Sequence, residues 1–193
     1  HIVQKCLEQG WRTVGVDNLS SGIRPDKWPA GQKPPSRFVL MNVREYFQPP
    51  SPYFDYVFHC AAVVGGRQKI EGDPLAVAEN LAIDSDFFRW ATRTRPRKIV
   101  YFSSSAVYPV WRQTRDFHAP LSEGLVRFAG QGVPMPDASY GWSKMTGEYL
   151  AQLAVQKHEL DVVLYRPFIG YVFHQSMDYP FPTINARAVR SEN

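Results

Sequence analysis

The sequence predicts an α/β protein built as a doubly wound parallel sheet with helices on both faces. Three observations carry this expectation. Apolar runs of strand length, at Trp11–Val16, Arg37–Met41, Phe54–Cys60, Lys98–Phe102 and Asp161–Arg166, are separated by stretches that include helical periodicity. No hairpin signal joins one run to the next, so the connections read as right-handed crossovers that set strands parallel. The run from Phe54 to Cys60 is nearly continuous in its apolar residues, as in a strand buried on both faces.

Composition narrows the class. A chain of 193 residues, 44% hydrophobic and 21% charged, buries one substantial core, and this balance excludes disorder and collagen. The longest apolar runs are strand-sized, so no membrane span is expected, and no secretory leader is read at the start. Cys6 and Cys60 each lie in an apolar segment, which predicts buried, reduced thiols in a cytoplasmic protein. His1, His59, His118, His158 and His174 are scattered, so no metal site is expected. The net charge of +4 raises the question of nucleic acid, but the cations of Arg93–Lys98 read as the solvated C-terminus of a helix, where they complement its dipole. The chain opens on His1, in what reads as the middle of a helix, and is therefore read as a fragment.

Taken in order, Ile2, Val3, Cys6 and Leu7 share one apolar helical face, and Gly10 is a stop signal. The strand after it runs into Asp17-Asn18. An acidic residue in that place of a nucleotide-binding unit accepts hydrogen bonds from the adenosine ribose and repels a 2′-phosphate, which favours NAD over NADP; an ordinary Asp-Asn turn is the alternative. Ser20–Ser36 is a loop rich in Gly, Pro and polar residues, and Asn42-Val43 leads from the next strand into one helical turn. The strand from Phe54 ends in His59-Cys60-Ala61-Ala62, whose small residues let a flat cofactor approach the backbone. Val63–Gly72 reads as a loop. Asp73 and Pro74 then supply an N-cap and a first-turn proline for a helix with apolar Leu75, Ala78, Leu81, Ala82, Phe88 and Ala91. Asn80 interrupts them, as a cofactor contact or as surface. Lys98–Phe102 runs into Ser103-Ser104-Ser105, and the residues from Pro109 to Ala138 read as a long loop over the strand ends. The Tyr140–His158 helix and the Asp161–Arg166 strand follow, then a loop from Phe168 and a helix from Thr183.

Tyr140 and Lys144 stand four residues apart at the head of a helix, and i and i+4 share a face. A lysine near a tyrosine favours the phenolate. Moving a phenol from its usual pKa of about 10 to about 7 takes about 4 kcal/mol, which a lysine and a cationic cofactor in a partly dry cleft can supply. The same spacing also arises where a tyrosine caps a core and its lysine is solvated.

Taken together, Val14-Gly15-Val16-Asp17-Asn18-Leu19-Ser20, His59-Cys60-Ala61-Ala62, Ser103-Ser104-Ser105-Ala106-Val107-Tyr108, Tyr140-Gly141-Trp142-Ser143-Lys144 and Arg166-Pro167-Phe168 resemble, in order and spacing, the extended short-chain dehydrogenase/reductase superfamily in its NAD-dependent nucleotide-sugar epimerase/dehydratase branch. The resemblance covers nearly the whole chain. It implies a Rossmann-like fold lacking the family's first strand and glycine-rich turn and most of its C-terminal substrate lobe, with residues 1–167 as a truncated NAD-binding domain and 168–193 as the start of the substrate-binding region. On this reading the isolated chain binds NAD poorly and is inactive.

The resemblance also implies roles. Tyr140 is the general base, Lys144 its activator and a ribose ligand, and Ser104 the hydroxyl that orients the sugar oxygen, with Ser105 next in line. Asp17 and Asn18 hold the adenosine ribose, Asn42 and Val43 the adenine, and Ala61 and Ala62 the middle of NAD; Asn80 joins the cofactor set. The partner is a nucleotide-sugar, and relatives often form homodimers through the Tyr-Lys helix. Dehydratases of the branch carry an acid just after the Ser/Thr, where this chain has Ser105 and Ala106, so an epimerase is favoured over a 4,6-dehydratase or a non-catalytic dinucleotide-binding relative. Two positions depart from the family pattern: Asn42, where Asp is common, and Ile169–Val172, where Asn and then Tyr-Gly usually follow Arg-Pro-Phe.

Overall fold

The computed structural model describes residues 1–65, 67–116, 119–129, 132–168, 170, 175, 177 and 179–190, with the side chains of 67–69 and 180 outside the description. The chain forms two compact units, His1–Pro52 and Tyr53–Asn193.

In the first unit, helix α1 (Ile2–Glu8) ends where Gly10 turns left-handed at φ +74°. Gly10 N donates to Leu7 O at 2.9 Å and Trp11 N to Cys6 O at 3.0 Å, the paired bonds that satisfy a helix's last carbonyls. Strands β1 (Val14–Asp17) and β2 (Arg37–Leu40) pair in parallel, Val14 opposite Arg37 and Asp17 opposite Leu40. Thr13 and Ser36 fix the start of this register, each backbone amide donating to the other's hydroxyl at 3.0 Å. The Asn42 side chain caps the single turn of α2 (Val43–Tyr46), accepting from Arg44 N at 3.0 Å.

The second unit holds three parallel strands, β3 (Tyr56–His59), β4 (Lys98–Phe102) and β5 (Val162–Tyr165), in the order β3-β4-β5. Their crossovers contain α3 (Arg67–Gly72), α4 (Pro74–Thr94) and α5 (Ala138–His158), and α6 (Pro180–Arg190) follows β5. Asp73 caps α4 by accepting from Ala76 N at 3.0 Å, and Pro74 opens the helix. The helix closes on Arg95 in the left-handed conformation at φ +50°. Phe87, Trp90, Ile99 and Tyr101 are fully buried between α4 and the sheet, at roughly 1.5–3 kcal/mol for a large apolar side chain.

Four expectations are corrected. Residues 67–72 form a helix where a loop was expected, because Arg67 to Glu71 are competent helix formers once past Gly65. Along α4 the buried face runs through Val77, Asn80, Ile83, Asp84, Phe87 and Phe88, leaving Leu75 and Leu81 exposed. β3 covers only Tyr56–His59, and of these only His59 is fully buried. Cys6 is buried as expected, but Cys60 is exposed because the strand ends one residue before it.

The basic run after α4 is partly engaged: Lys98 pairs with Asp161 at 2.9 Å, and the Arg97 guanidinium lies 5.8 Å from the Tyr56 ring centre. Among the described residues no helix is long and apolar enough to cross a membrane, and no group of three His, Cys, Asp or Glu side chains is placed to hold a metal ion.

Candidate active site

Tyr140 is carried into place by a close approach of backbones. A Cβ at Gly141 would lie 2.5 Å from the Ala106 carbonyl oxygen, so only glycine lets the first turn of α5 settle on the 3₁₀ turn Ser105–Val107. Asp137 N also donates to that carbonyl, at 2.8 Å. Ser104 caps the 3₁₀ turn from the end of β4, its hydroxyl oxygen accepting from Ala106 N at 3.1 Å. The result is a hydrogen bond between the Ser104 and Tyr140 side chains. Ser105, the alternative, instead begins the 3₁₀ turn, and its backbone amide donates to Pro167 O at 3.1 Å.

One turn along α5, Lys144 is buried, with only 4% of its surface exposed. Its Nζ donates to the Phe102 carbonyl oxygen at 2.9 Å, 6.0 Å from the Tyr140 ring centre and 5.4 Å from that of Tyr101. Burial lowers the pKa of the ammonium, while Asp84 and then Cys60 hold it up. The helical spacing therefore does put the lysine beneath the tyrosine.

The phenol is nevertheless shifted away from its ionised form. Burial pushes Tyr140 up to about 12, with further upward contributions from Tyr179 and Asp84, against a downward pull from its hydrogen bond with Ser104. The expected lowering by Lys144 is not what sets the phenol: burial governs its shift, and the downward pull comes from Ser104.

Beneath the pair lies a buried polar layer. Tyr101 Oη donates to Asp84 Oδ2 at 2.5 Å, and His59 Nε2 lies 2.9 Å from Asp84 Oδ1. The His59 ring stacks on Phe87 at 3.9 Å between centres. Beside this layer Arg166 grips Glu148 with two bonds, Nε to Oε1 at 2.8 Å and Nη2 to Oε2 at 2.7 Å. Ser103 Oγ donates to Glu148 Oε1 at 2.5 Å, and Arg166 Nη1 donates to Glu123 O at 2.9 Å, so the carboxylate ties β4, β5 and the loop before α5 to the helix that bears Tyr140.

Asn80 is buried rather than on the surface. It clamps the loop after β3, accepting from Val63 N at 2.6 Å and donating to Val63 O at 3.0 Å. Ala61 and Ala62 precede that clamp and are half-buried. In the first unit, Asp17 and Asn42 stand at the adjoining carboxyl ends of β1 and β2, where Met41 N donates to Asp17 O at 3.1 Å. Asp17 accepts from Leu19 N at 2.7 Å and Asn18 from Ser20 N at 3.0 Å, so the Asp-Asn turn is present, with both side chains exposed. Each unit by itself carries chemistry that a dinucleotide uses: the first an exposed carboxylate at a strand end, the second small residues after β3 and an ammonium beside a phenol. Of the departure at Ile169–Val172, all but Gly170 lies outside the described residues.

Asp84, Tyr101, His59, Glu148 and Tyr179 were not foreseen as parts of the site. Asp84 had a signal, since an acid on the apolar face of a helix needs a partner. The others acquire their roles only through packing.

The chain resembles solved structures over nearly its full length. A UDP-galactose 4-epimerase matches at 26% identity with a TM-score of 0.72, over 97% of this chain and 58% of that one. The UDP-glucuronic acid 4-epimerase from Bacillus cereus, in complex with UDP-glucuronic acid and NAD, shares the fold at 20% identity with a TM-score of 0.74, over 100% of this chain and 60% of that one. The UDP-glucose 4-epimerase from Thermus thermophilus, in complex with NAD, does so at 22% identity with a TM-score of 0.71, over 97% and 57%. The chain thus spans under two thirds of the length of each. Comparison with curated proteins gave no match. The fold is Rossmann-like. A family model matches residues 1–187, and by that match the chain belongs to the NAD dependent epimerase/dehydratase family.

Proposed function

We propose that this protein is an NAD-dependent nucleotide-sugar epimerase. The observation that carries the reading is the convergence of Ser104, Tyr140 and Lys144 in a chain of this family. Asp17 and Asn18 would hold the adenosine ribose, Asn42 and Val43 the adenine, and Ala61 and Ala62 the middle of the cofactor, on a loop that Asn80 fixes through Val63. Lys144 and Tyr140 would hold the second ribose.

When bound, oxidised NAD supplies a hydride acceptor and a positive charge beside the phenol. Tyr140 removes the proton from the sugar hydroxyl, and Ser104, hydrogen-bonded to the same phenol, holds the hydroxyl in line. Lys144 favours the phenolate electrostatically. Burial holds the phenol above its ordinary range, so the lysine and the positive charge of a bound cofactor would together have to bring it down for it to act as a base. Loss of that proton together with the hydride from the same carbon, for which NAD would be the acceptor, would leave a keto-sugar; return of the hydride to the opposite face, with Tyr140 giving back the proton, would leave the inverted hydroxyl. The neighbours named above are 4-epimerases, which makes the C4 hydroxyl the proposed centre. Residues 168–193 are proposed to begin the substrate-binding region, consistent with Tyr179 acting on Tyr140.

A dehydratase must also move a proton on the neighbouring carbon, and the residues beside Ser104 are Ser103, already bonded to Glu148, and the neutral Ser105 and Ala106. The test is to incubate a polypeptide that carries this chain together with the family's first strand, glycine-rich turn and substrate-binding region with NAD and a panel of UDP-hexoses, and to read the products by proton NMR. An inverted hydroxyl supports the proposal. A 4-keto-6-deoxy product, or no change across the panel, contradicts it.

A further inference from the structure

The buried polar layer contains a charge that the acid-base scheme does not use. Asp84 is 2% exposed on the inner face of α4. It receives a hydrogen bond from Tyr101 and faces His59 Nε2. Burial lowers the pKa of His59, against the pull of Asp84, and raises that of Tyr101, so burial disfavours the charged form of each partner. A buried carboxylate between such partners is stabilised by a further cation, since isolated charge in a low-dielectric interior is costly.

Lys144 has the complementary need. It is almost fully buried and its Nζ hydrogen bond goes to a neutral carbonyl, that of Phe102. Both groups meet Tyr101, whose ring centre lies 5.4 Å from the ammonium and whose hydroxyl is bonded to Asp84. Gly147, one turn beyond Lys144, leaves the space: a Cβ there would come 2.5 Å from Asp84 Oδ2 and closer still to Tyr101 Oη. The groups around the ammonium are Asp84 from α4, Tyr101 from β4, His59 and Cys60 from the end of β3, and Tyr140 on α5. Glu148, the next acid on α5, is taken up by Arg166 and Ser103.

We propose that Asp84 is the buried counter-charge of Lys144 and, held by Tyr101 and His59, the positioning residue that keeps the lysine charged beneath Tyr140. The proposal rests on the reading of Tyr140 and Lys144 as the reacting pair. Asp84 touches neither substrate nor cofactor; it acts through Lys144. Its charge opposes ionisation of Tyr140, whose ring centre lies 6.0 Å from the ammonium that it holds.

The test uses the protein without cofactor, so its outcome is independent of whether the sugar is turned over. The Lys144 amine is followed by NMR with ¹³Cε-labelled lysine, its signal assigned by loss in Lys144→Met. Asp84→Asn keeps the shape and removes the charge. The Lys144 titration midpoint should fall by about one pH unit or more, the scale of a lost neighbouring charge. If Asp84→Asn does not fold, the same coupling is read from the other side: in Lys144→Met the Asp84 carboxyl carbon should titrate at higher pH than in the unaltered protein. A folded Asp84→Asn with an unmoved Lys144 midpoint, or a Lys144→Met with an unmoved Asp84, overturns the proposal. Absence of epimerase activity in the unaltered protein, with the coupling observed, would instead count against the functional reading.

Discussion

Tyr140 is the residue on which the proposed chemistry turns, and its environment makes a testable demand. Its pKa in the folded protein, about 12, lies above the ordinary value of 10.0. Between those values the folded state binds more protons than the unfolded state, so stability falls as pH rises through that window. Tyr101, also shifted upward by burial, adds to the same slope. Urea midpoints measured from about pH 9 to about pH 11 should therefore decline, and less steeply in Tyr140→Phe, where one such group is gone. A second prediction concerns Glu148, which is fully buried with Arg166, whose side chain is 14% exposed. Glu148→Ala should cost about 3–5 kcal/mol in urea unfolding, because it strands the guanidinium. Sequence spacing placed Tyr140 above Lys144, since i and i+4 share a helix face. It could not show the sign of the phenol's shift, because that is set by how much of the ring other elements bury.

At the scale of elements, α5 is held by glycines as much as by apolar residues. Gly147→Ala should destabilise by at least about 1–3 kcal/mol, since the new methyl would overlap the Tyr101 hydroxyl and Asp84. Gly72→Ala, at the end of α3 where nothing lies within 4 Å of the new Cβ, should be neutral or stabilise by about 0.4–1 kcal/mol. Thermal unfolding of the two variants side by side checks both. Elements were legible where local chemistry sets them: Asp73 and Pro74 at the start of α4, Gly10 after α1, Asn42 before α2. They were less legible where packing decides. Leu75 and Leu81 look like core residues of α4, yet the helix turns Asn80 and Asp84 inward because Val63, Tyr101 and His59 supply their partners. The helix at Arg67–Gly72 was obscured by the Gly65-Gly66 signal directly before it.

At the scale of the molecule, the parallel order β3-β4-β5 brings Ala61, Ser104 and Tyr140 into one unit, while Asp17 and Asn42 stand together at the strand ends of the other. The cofactor preference belongs to this scale. Asp17→Ala should weaken NAD binding and narrow its margin over NADP, measured by fluorescence titration with each, because the carboxylate proposed to accept from a ribose and repel a 2′-phosphate is removed. The most direct test of the whole account is Tyr140→Phe, assayed with NAD and a UDP-hexose that the unaltered protein epimerises. Loss of the base should reduce turnover by about 10²–10⁴-fold while the fold and NAD binding are retained. Turnover by Tyr140→Phe at the rate of the unaltered protein would contradict it.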